Sequence, residues 1–185
     1  MKKFILASGS PRRKEILSRE GYSFEIVPSD KEDAFDKTCS AKKFSVRCAI
    51  SKATDVYSRS DKQAVVLGAD TVVSIGGEIL GKAADRAEAE QMLRKLSGKK
   101  HVVTTGYAVL TENFSETGSV DTEVEFNELS DETINAYLDS GLWKGKAGSY
   151  GIQDGFPLVK SFIGDRDNVV GLPISAIKPT LDLLL

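Results

Sequence analysis

The chain has 185 residues, of which 41% are hydrophobic and 28% charged, and its 25 basic and 27 acidic residues give a net charge of -2. This balance does not favour nucleic acid or an anionic membrane surface as a partner, because both select for an excess of basic charge. No segment approaches the ~20 apolar residues of a membrane-spanning helix, and the apolar stretch at 4–7 is too short for a signal peptide. We therefore expect a cytoplasmic protein that folds as one domain over residues 1–185.

Predicted strands and helices alternate along the chain. In chain order they are a strand at 3–7, a helix at 11–20, a strand at 22–27, a helix at 40–58, strands at 63–69, 71–75 and 78–80, a helix at 86–96, strands at 101–111 and 117–127, a helix at 131–140, a strand at 157–163 and a helix at 173–184. The segment before the last helix reads as a loop. The alternation predicts an α/β fold, and the hairpin predicted between the two long strands makes the sheet mixed.

The run SGSPRR at 8–13 lies between the first predicted strand and the first predicted helix. Arg12 and Arg13 stand in the first helical turn, where the helix dipole disfavours cations by roughly 0.3–1 kcal/mol each. A bound polyphosphate would reverse that penalty, because free backbone N–H groups at a helix start and arginine side chains both bind phosphate oxygens. Ser8 can donate a further hydrogen bond. The alternative is a capped helix with solvated basic side chains.

Asp70 lies within the apolar segment AVVLGADTVV, where an isolated carboxylate would be costly to bury. A carboxylate at such a place suits a general base or a ligand of a hard cation. The acidic stretch at 30–36 could supply a second carboxylate for that cation, although charge runs of this kind are usually solvated loops. A turn-capping role for Asp70 is the alternative.

Two glycine-containing segments need separate interpretation. GGEILGKA at 76–83 nearly matches a P-loop, but Ala83 replaces the hydroxyl that binds Mg²⁺, and Gly76-Gly77 reads better as a hairpin turn. Lys82 could still contact phosphate. KAGSYGIQDG at 146–155 is suited to lie against a flat ligand, and Gln153 could read a base edge through its amide. A surface lysine and a plain connector are the respective alternatives.

The cysteines and the single histidine indicate no site. Cys39 and Cys48 flank half of a predicted helix, roughly 13 Å apart, which is too far for a disulfide. We expect two reduced thiols and a structural or solvated His101.

Together these segments resemble the Maf family of nucleotide pyrophosphatases over nearly the whole chain. The matching blocks, in order, are LASGSPRR at 6–13, GADTVV at 68–73, GEILGK at 77–82, QMLRKLSGKKHVVTTG at 91–106, KAGSYGIQ at 146–153 and GLPI at 171–174. The resemblance implies a fold related to inosine triphosphate pyrophosphatases, with a curved mixed sheet flanked by helices and a cleft between two lobes. It also implies a frequent homodimer and a link to the inhibition of septum formation.

The family's reaction cleaves a nucleoside triphosphate between the α and β phosphates and requires a divalent cation such as Mg²⁺ or Mn²⁺. Arg12, Thr71 and Gln153 are similar to the branch that acts on dTTP and UTP. The resemblance makes Asp70 the residue that activates water or holds the metal, with Asp33 as a second metal ligand. It also implies residues that bind the phosphates or select the base, namely Ser8, Arg12, Arg13, Lys52, Lys82, Thr71 and Gln153.

Four positions depart from the family pattern. Asp33 replaces a glutamate and reaches one methylene less far, and Ala83 replaces a proline. Asp154 replaces a glycine, and Arg166 stands where a tyrosine is common. We expect the last two to lie near the base pocket and to affect base preference.

Two other functions fit part of the sequence. A P-loop kinase or NTPase that used 76–82 would transfer the γ-phosphate. A non-catalytic nucleotide-binding regulator that acted through a division partner would bind nucleotide without turnover.

Overall fold

A computed structural model of the chain describes residues 2–31 and 38–185, and strands and helices alternate through most of that portion. Its elements are β1 Phe4–Leu6, α1 Pro11–Arg19, β2 Glu25–Ile26, α2 Ala41–Ser58, β3 Val65–Ile75, β4 Glu78–Leu80, α3 Arg86–Leu96, β5 Lys100–Leu110, β6 Ser115–Phe126, α4 Asp131–Asp139, β7 Val159–Ile163, α5 Arg166–Val170 and α6 Ile174–Leu184. The mixed α/β architecture expected from the sequence is confirmed.

Most predicted elements are present, and two differ. The strand predicted at 63–69 continues through 71–75 as β3, as expected, whereas the strand predicted at 22–27 shrinks to the two residues of β2. The loop predicted before the last helix contains α5. Asp165 starts this helix, because its carboxylate accepts hydrogen bonds from the backbone N–H groups of Asp167 and Asn168. Five residues are too few to show a helical period in the sequence.

The sheet leaves one edge of β3 open in its middle. In the described residues the strand order is β2-β1-β3-β5-β6-β7, with β4 also paired to β3. β5 covers one edge of β3 from 66 to 74. On the other edge, β1 pairs in parallel with 65–67 and β4 pairs antiparallel with 73–75. Residues 68–72 therefore face a notch between two strands, and both faces of β3 can contribute side chains to it.

Apolar side chains form separate cores on the two sides of this notch. One side packs α1 and α6 against β1 and the first half of β3, with α2 on the opposite face of the sheet. The other side packs α3 and α4 against β6 and the distal parts of β3 and β5. The chain thus has two lobes with a cleft between them, as the resemblance implied.

Two glycines bring α2 into direct contact with the sheet. A Cβ atom added to Gly68 would lie 2.4 Å from the backbone oxygen of Ala49, and one added to Gly106 would lie 2.4 Å from backbone atoms of Ser45 and Val46. Only glycine permits such a close approach. This packing fixes the height of α2 above β3, and therefore the position of Lys52 relative to the notch.

The remaining sequence predictions about local structure are confirmed. Gly76 and Gly77 form the turn between β3 and β4 with φ values of 57° and 83°, and the next helix starts only at Arg86, so the segment is a hairpin and not a P-loop. Cys39 and Cys48 are reduced thiols, as expected. His101 is buried, and its Nε2 atom lies 2.7 Å from the Tyr150 hydroxyl. Among the residues described, no helix has the length and apolar character needed to span a membrane.

Candidate active site

The first helix starts at the notch and presents its arginines there. Ser10 caps α1 by accepting a hydrogen bond from the backbone N–H of Arg13, and Pro11 occupies the first helical position. Proline suits that position because the N–H it lacks has no partner within the helix. The pairing of β1 with β3 ends at residue 67. The chain that follows β1, residues 7–13, therefore lines the cavity at the open edge of β3.

Arg13 is buried and held by neutral oxygen atoms. Its Nε donates to the Gly171 carbonyl at 2.7 Å, its Nη1 to the Ser8 hydroxyl at 2.9 Å and its Nη2 to the Thr71 hydroxyl at 3.2 Å. The residue is only 9% exposed. Burial lowers the pKa of Arg13 to about 10, an effect that Asp70 partly offsets and the charge of Arg12 adds to. A buried cation that makes no hydrogen bond to a carboxylate of the described residues is a strong attractor for an anionic ligand.

A chain of hydroxyl groups orients Thr71 toward Arg13. The Thr105 hydroxyl donates its only proton to the Asn168 carbonyl at 3.0 Å and lies 2.9 Å from the Thr71 hydroxyl. Thr71 must therefore donate to Thr105, which leaves its own oxygen to accept from Arg13. Thr71, proposed from the resemblance as a base-selecting residue, is thus also part of the support for Arg13.

Asp70 projects from the other face of β3 and forms an ion pair with Lys52 of α2. Successive side chains on a strand point to opposite faces, which separates Asp70 from Thr71. The two side chains of the pair are 17% and 18% exposed, so both reach the cavity surface. Lys52 neutralises Asp70 in the absence of a ligand and holds it in place.

All eight predicted site residues that the structure describes line one cavity of about 480 Å³. They are Ser8, Arg12, Arg13, Lys52, Asp70, Thr71, Lys82 and Gln153. The segment that carries Lys82 packs against the loop that carries Gln153. Lys82 forms an isolated bridge with Ala147, and the Gly148 N–H donates to the Gly81 carbonyl. Asp33, the proposed second metal ligand, lies outside the described residues.

The cavity wall is strongly cationic. The described residues that line it include seven lysines and arginines and one carboxylate, although the whole chain carries a net charge of -2. The cations are Arg12, Arg13, Lys31, Lys52, Lys82, Lys144 and Lys146, and the carboxylate is Asp70. Burial also lowers the pKa of Arg12, while Asp154 opposes that effect. A site of this volume and charge suits a small polyanion such as a nucleoside triphosphate.

Three of these cations did not stand out in the sequence. Lys31 follows the second strand, and Lys144 and Lys146 lie on the glycine-rich loop after α4. The two loop lysines alternate with glycine in GLWKGKAG, and that pattern could have indicated a phosphate-contacting loop. Gln153 is the residue of this loop that was expected to contact the ligand.

The two departures expected at the base pocket behave differently. Arg166 is exposed at the start of α5 and is not among the residues that line the cavity, although Val169 and Val170 of the same helix are. The reason is that α5 turns its first residue to the solvent. Asp154 does not line the cavity either, but it bonds to Lys146, which does.

The donor set fits a divalent cation only with help from a ligand. Within residues 2–31 and 38–185, no group of three or more histidines, cysteines or carboxylates could hold a metal ion. Asp70 offers hard oxygen atoms in a cavity built for phosphate. Mg²⁺ commonly binds one or two carboxylates together with substrate phosphates and water, and the site meets that description.

Taken together, the fold and the site define a two-lobed α/β protein with a cationic cleft for a phosphorylated ligand. Residues 3–184 match the family described as Maf-like protein. The chain belongs to that family.

Curated relatives are similar over almost their whole length. A dTTP/UTP pyrophosphatase from Thermococcus kodakarensis is 47% identical over 94% of this chain and 92% of that protein, and one from Thermococcus gammatolerans is 49% identical over the same shares. A dTTP/UTP pyrophosphatase from Bacillus cereus is 47% identical over 96% of this chain and 87% of that protein. A solved structure from Mycobacterium abscessus, described as a nucleoside-triphosphatase / dITP/XTP pyrophosphatase, aligns with 99% of this chain and 98% of that chain at 15% identity and a TM-score of 0.48.

Proposed function

We propose that this chain hydrolyses dTTP and UTP to the nucleoside monophosphate and pyrophosphate. The observation that carries the proposal is one cavity that combines a cationic wall with a single described carboxylate, Asp70. The names of the relatives, which are 46–49% identical, supply the pyrimidine nucleotides and the reaction type. Arg12, Thr71 and Gln153 line this cavity and are the residues proposed to select the base.

In the proposed reaction, Asp70 accepts a proton from the attacking water. The water oxygen bonds to the α-phosphorus while the bond to the α–β bridging oxygen breaks, and pyrophosphate leaves with the negative charge. Arg12, Arg13 and Lys82 stabilise that charge where it develops, which is the largest contribution that a preorganised site can make. Lys52 keeps the Asp70 carboxylate oriented.

We further propose that a divalent cation, Mg²⁺ or Mn²⁺, is held by Asp70 together with phosphate oxygens of the substrate, with Asp33 as a candidate second ligand. When bound, such an ion would neutralise phosphate charge and polarise the bond that breaks. The homodimer and the single domain over 1–185 also stay predictions, which sedimentation and limited proteolysis of the full chain would test.

The test is product identification with purified protein, each NTP or dNTP, and Mg²⁺ or Mn²⁺. We expect pyrophosphate with dTMP or UMP, and a loss of about 10²–10⁴-fold in Asp70→Asn, the range for a missing general base. Asp139→Asn is the matched control, because this exposed carboxylate of α4 pairs with Arg86 on the protein surface, away from the cavity. Both variants should keep the unfolding temperature of the wild type within a few degrees.

Three results would contradict the proposal. Orthophosphate as the product would indicate γ-phosphate chemistry, and intact nucleotide that nevertheless binds would favour the non-catalytic regulator. Asp70→Asn with most of its activity would remove Asp70 from the reaction.

A further inference from the structure

The loop after α4 contains a buried ion pair directly behind the cavity wall. The Lys146 ammonium bonds to Oδ2 of Asp154, and the two side chains are only 9% and 5% exposed. The Tyr137 hydroxyl of α4 donates to the same Oδ2 at 2.6 Å. Lys146 lines the cavity, whereas Asp154 and Tyr137 are not among the residues that line it. The carboxylate is therefore screened from the cavity by the lysine that it binds.

A buried ion pair of this kind is seldom favourable for stability alone. Burying two charges removes their hydration, and apolar side chains of similar size often stabilise a fold as well or better. The other lysine–carboxylate pairs near this lobe, such as Lys100–Glu123, are largely exposed and contribute little. An ammonium has three N–H donors, and only the one to Asp154 has a partner among the described residues. Two donors are thus left for a ligand in the cavity.

The charges around Lys146 show why it needs a carboxylate. Burial lowers the pKa of Lys146 and the charge of Arg12 at the start of α1 lowers it further, while Asp154 opposes both effects. Lys82 and Lys144 share the same cavity wall. The phenol of Tyr137 has a raised pKa because of burial and of Asp154, so it stays a neutral donor. Among the residues that the structure describes, Asp154 is the partner that favours the charged form of Lys146.

We propose that Asp154 is a positioning residue that keeps Lys146 in the cavity wall as an additional cation for the phosphate chain, with Tyr137 fixing the carboxylate. This role rests on the proposed function for its natural substrate, a nucleoside triphosphate. It applies to any pyrophosphate group that occupies the cavity. Asp154 acts through Lys146 and does not touch the ligand.

The experiment measures binding of inorganic pyrophosphate to the full chain by calorimetry between about pH 7 and pH 9, the range below the ordinary lysine pKa. We compare the wild type with Asp154→Asn, Lys146→Met, the double variant and Tyr137→Phe. Glu123→Gln is the matched control, because it removes a carboxylate from an exposed lysine pair in the same lobe. Its affinity should equal that of the wild type.

Asp154→Asn should weaken binding about tenfold, as expected for the loss of one charge-assisted contact. The deficit should grow with pH, because the unsupported lysine loses its proton earlier. Lys146→Met should already show its full loss of affinity at pH 7, because methionine carries no charge at any pH. The double variant should bind no more weakly than Lys146→Met. Tyr137→Phe, which deletes one hydrogen bond and keeps the ring, should act in the same direction by about threefold.

Three results would overturn the inference. They are an unchanged affinity in Asp154→Asn, effects of Asp154→Asn and Lys146→Met that multiply in the double variant, and a lower unfolding temperature without any change in binding. Because the readout is pyrophosphate binding and not turnover, the inference can fail or hold independently of whether the chain hydrolyses dTTP and UTP.

Discussion

Replacing Arg13 by methionine should stabilise the fold while it abolishes activity. The Arg13 guanidinium is buried, and its hydrogen bonds go to neutral oxygens of Ser8, Thr71 and Gly171. An arginine ordinarily titrates above pH 12, and burial lowers the pKa of Arg13 to about 10. The charged form is therefore disfavoured by roughly 3 kcal/mol in the folded protein.

The hydrogen bonds lost in Arg13→Met offset only part of this gain. All three accepting residues line the cavity, so water can replace the guanidinium as their donor. Methionine keeps an unbranched apolar stem of similar shape. We expect the free energy of unfolding to rise by about 1–3 kcal/mol, or roughly 2–4 °C per kcal/mol in a chain of this length. Residues that bind ligands are often unfavourable for stability in this way.

The assay is urea unfolding of the ligand-free protein, paired with pyrophosphate release from dTTP. Arg166→Met is the matched control, because this arginine is exposed and lies outside the cavity, and it should show no gain. Added pyrophosphate should stabilise the wild type and have little effect on Arg13→Met, since a ligand stabilises only the state that binds it. A fall in unfolding free energy of more than ~1 kcal/mol in Arg13→Met would refute the reasoning, because the hydrogen bonds would then outweigh the desolvation.

Two further predictions concern acid stability and helix packing. Burial lowers the pKa of His101 to about 4, so the unfolded chain binds a proton that the folded chain does not between about pH 6.5 and pH 4. The contribution of the neutral histidine to the free energy of unfolding is fully present above pH 6.5. It is lost as the pH falls through that window, by about 3 kcal/mol in total. Urea unfolding midpoints across that range should therefore fall less in His101→Gln. Gly68→Ala would place a Cβ atom 2.4 Å from the backbone oxygen of Ala49, so α2 must shift. We expect the free energy of unfolding to fall by about 1–3 kcal/mol. Turnover should fall as well, because Lys52 moves with the helix. Gly81→Ala should retain its stability, because the added Cβ would have no atom within 4 Å among the described residues other than Gly81 itself and its chain neighbours. Equal stability of the two variants would contradict the packing explanation.

Local sequence signals predicted most of the secondary structure. Asp85 and Ser130, capping types directly before predicted helices, cap α3 and α4, and the helix at Arg86–Leu96 has the predicted bounds. These features depend on neighbours within a few residues, so a single sequence contains the information. The short helix after Asp165 escaped because one and a half turns leave no periodic trace.

The candidate site was predicted in part. Residue chemistry and the family resemblance indicated Arg12, Arg13 and Asp70, and all three line one cavity. The lysines of the loop after α4 were missed, because a lysine in a glycine-rich connector is ordinarily solvated. Only the packing of that loop against 81–82 makes them part of a wall.

The sequence by itself determined the alternation of strands and helices, the helix caps and the chemical types of the groups available for phosphate. Tertiary structure alone decided that the middle of β3 has an open edge, since that depends on which strands stop on either side of 68–72. It also decided that Lys146 pairs with Asp154 and that the buried Arg13 bonds to neutral oxygen atoms of Ser8, Thr71 and Gly171. The physical reason is range: capping and periodicity are set by adjacent residues, whereas burial and ion pairing depend on segments that meet only after the chain has folded.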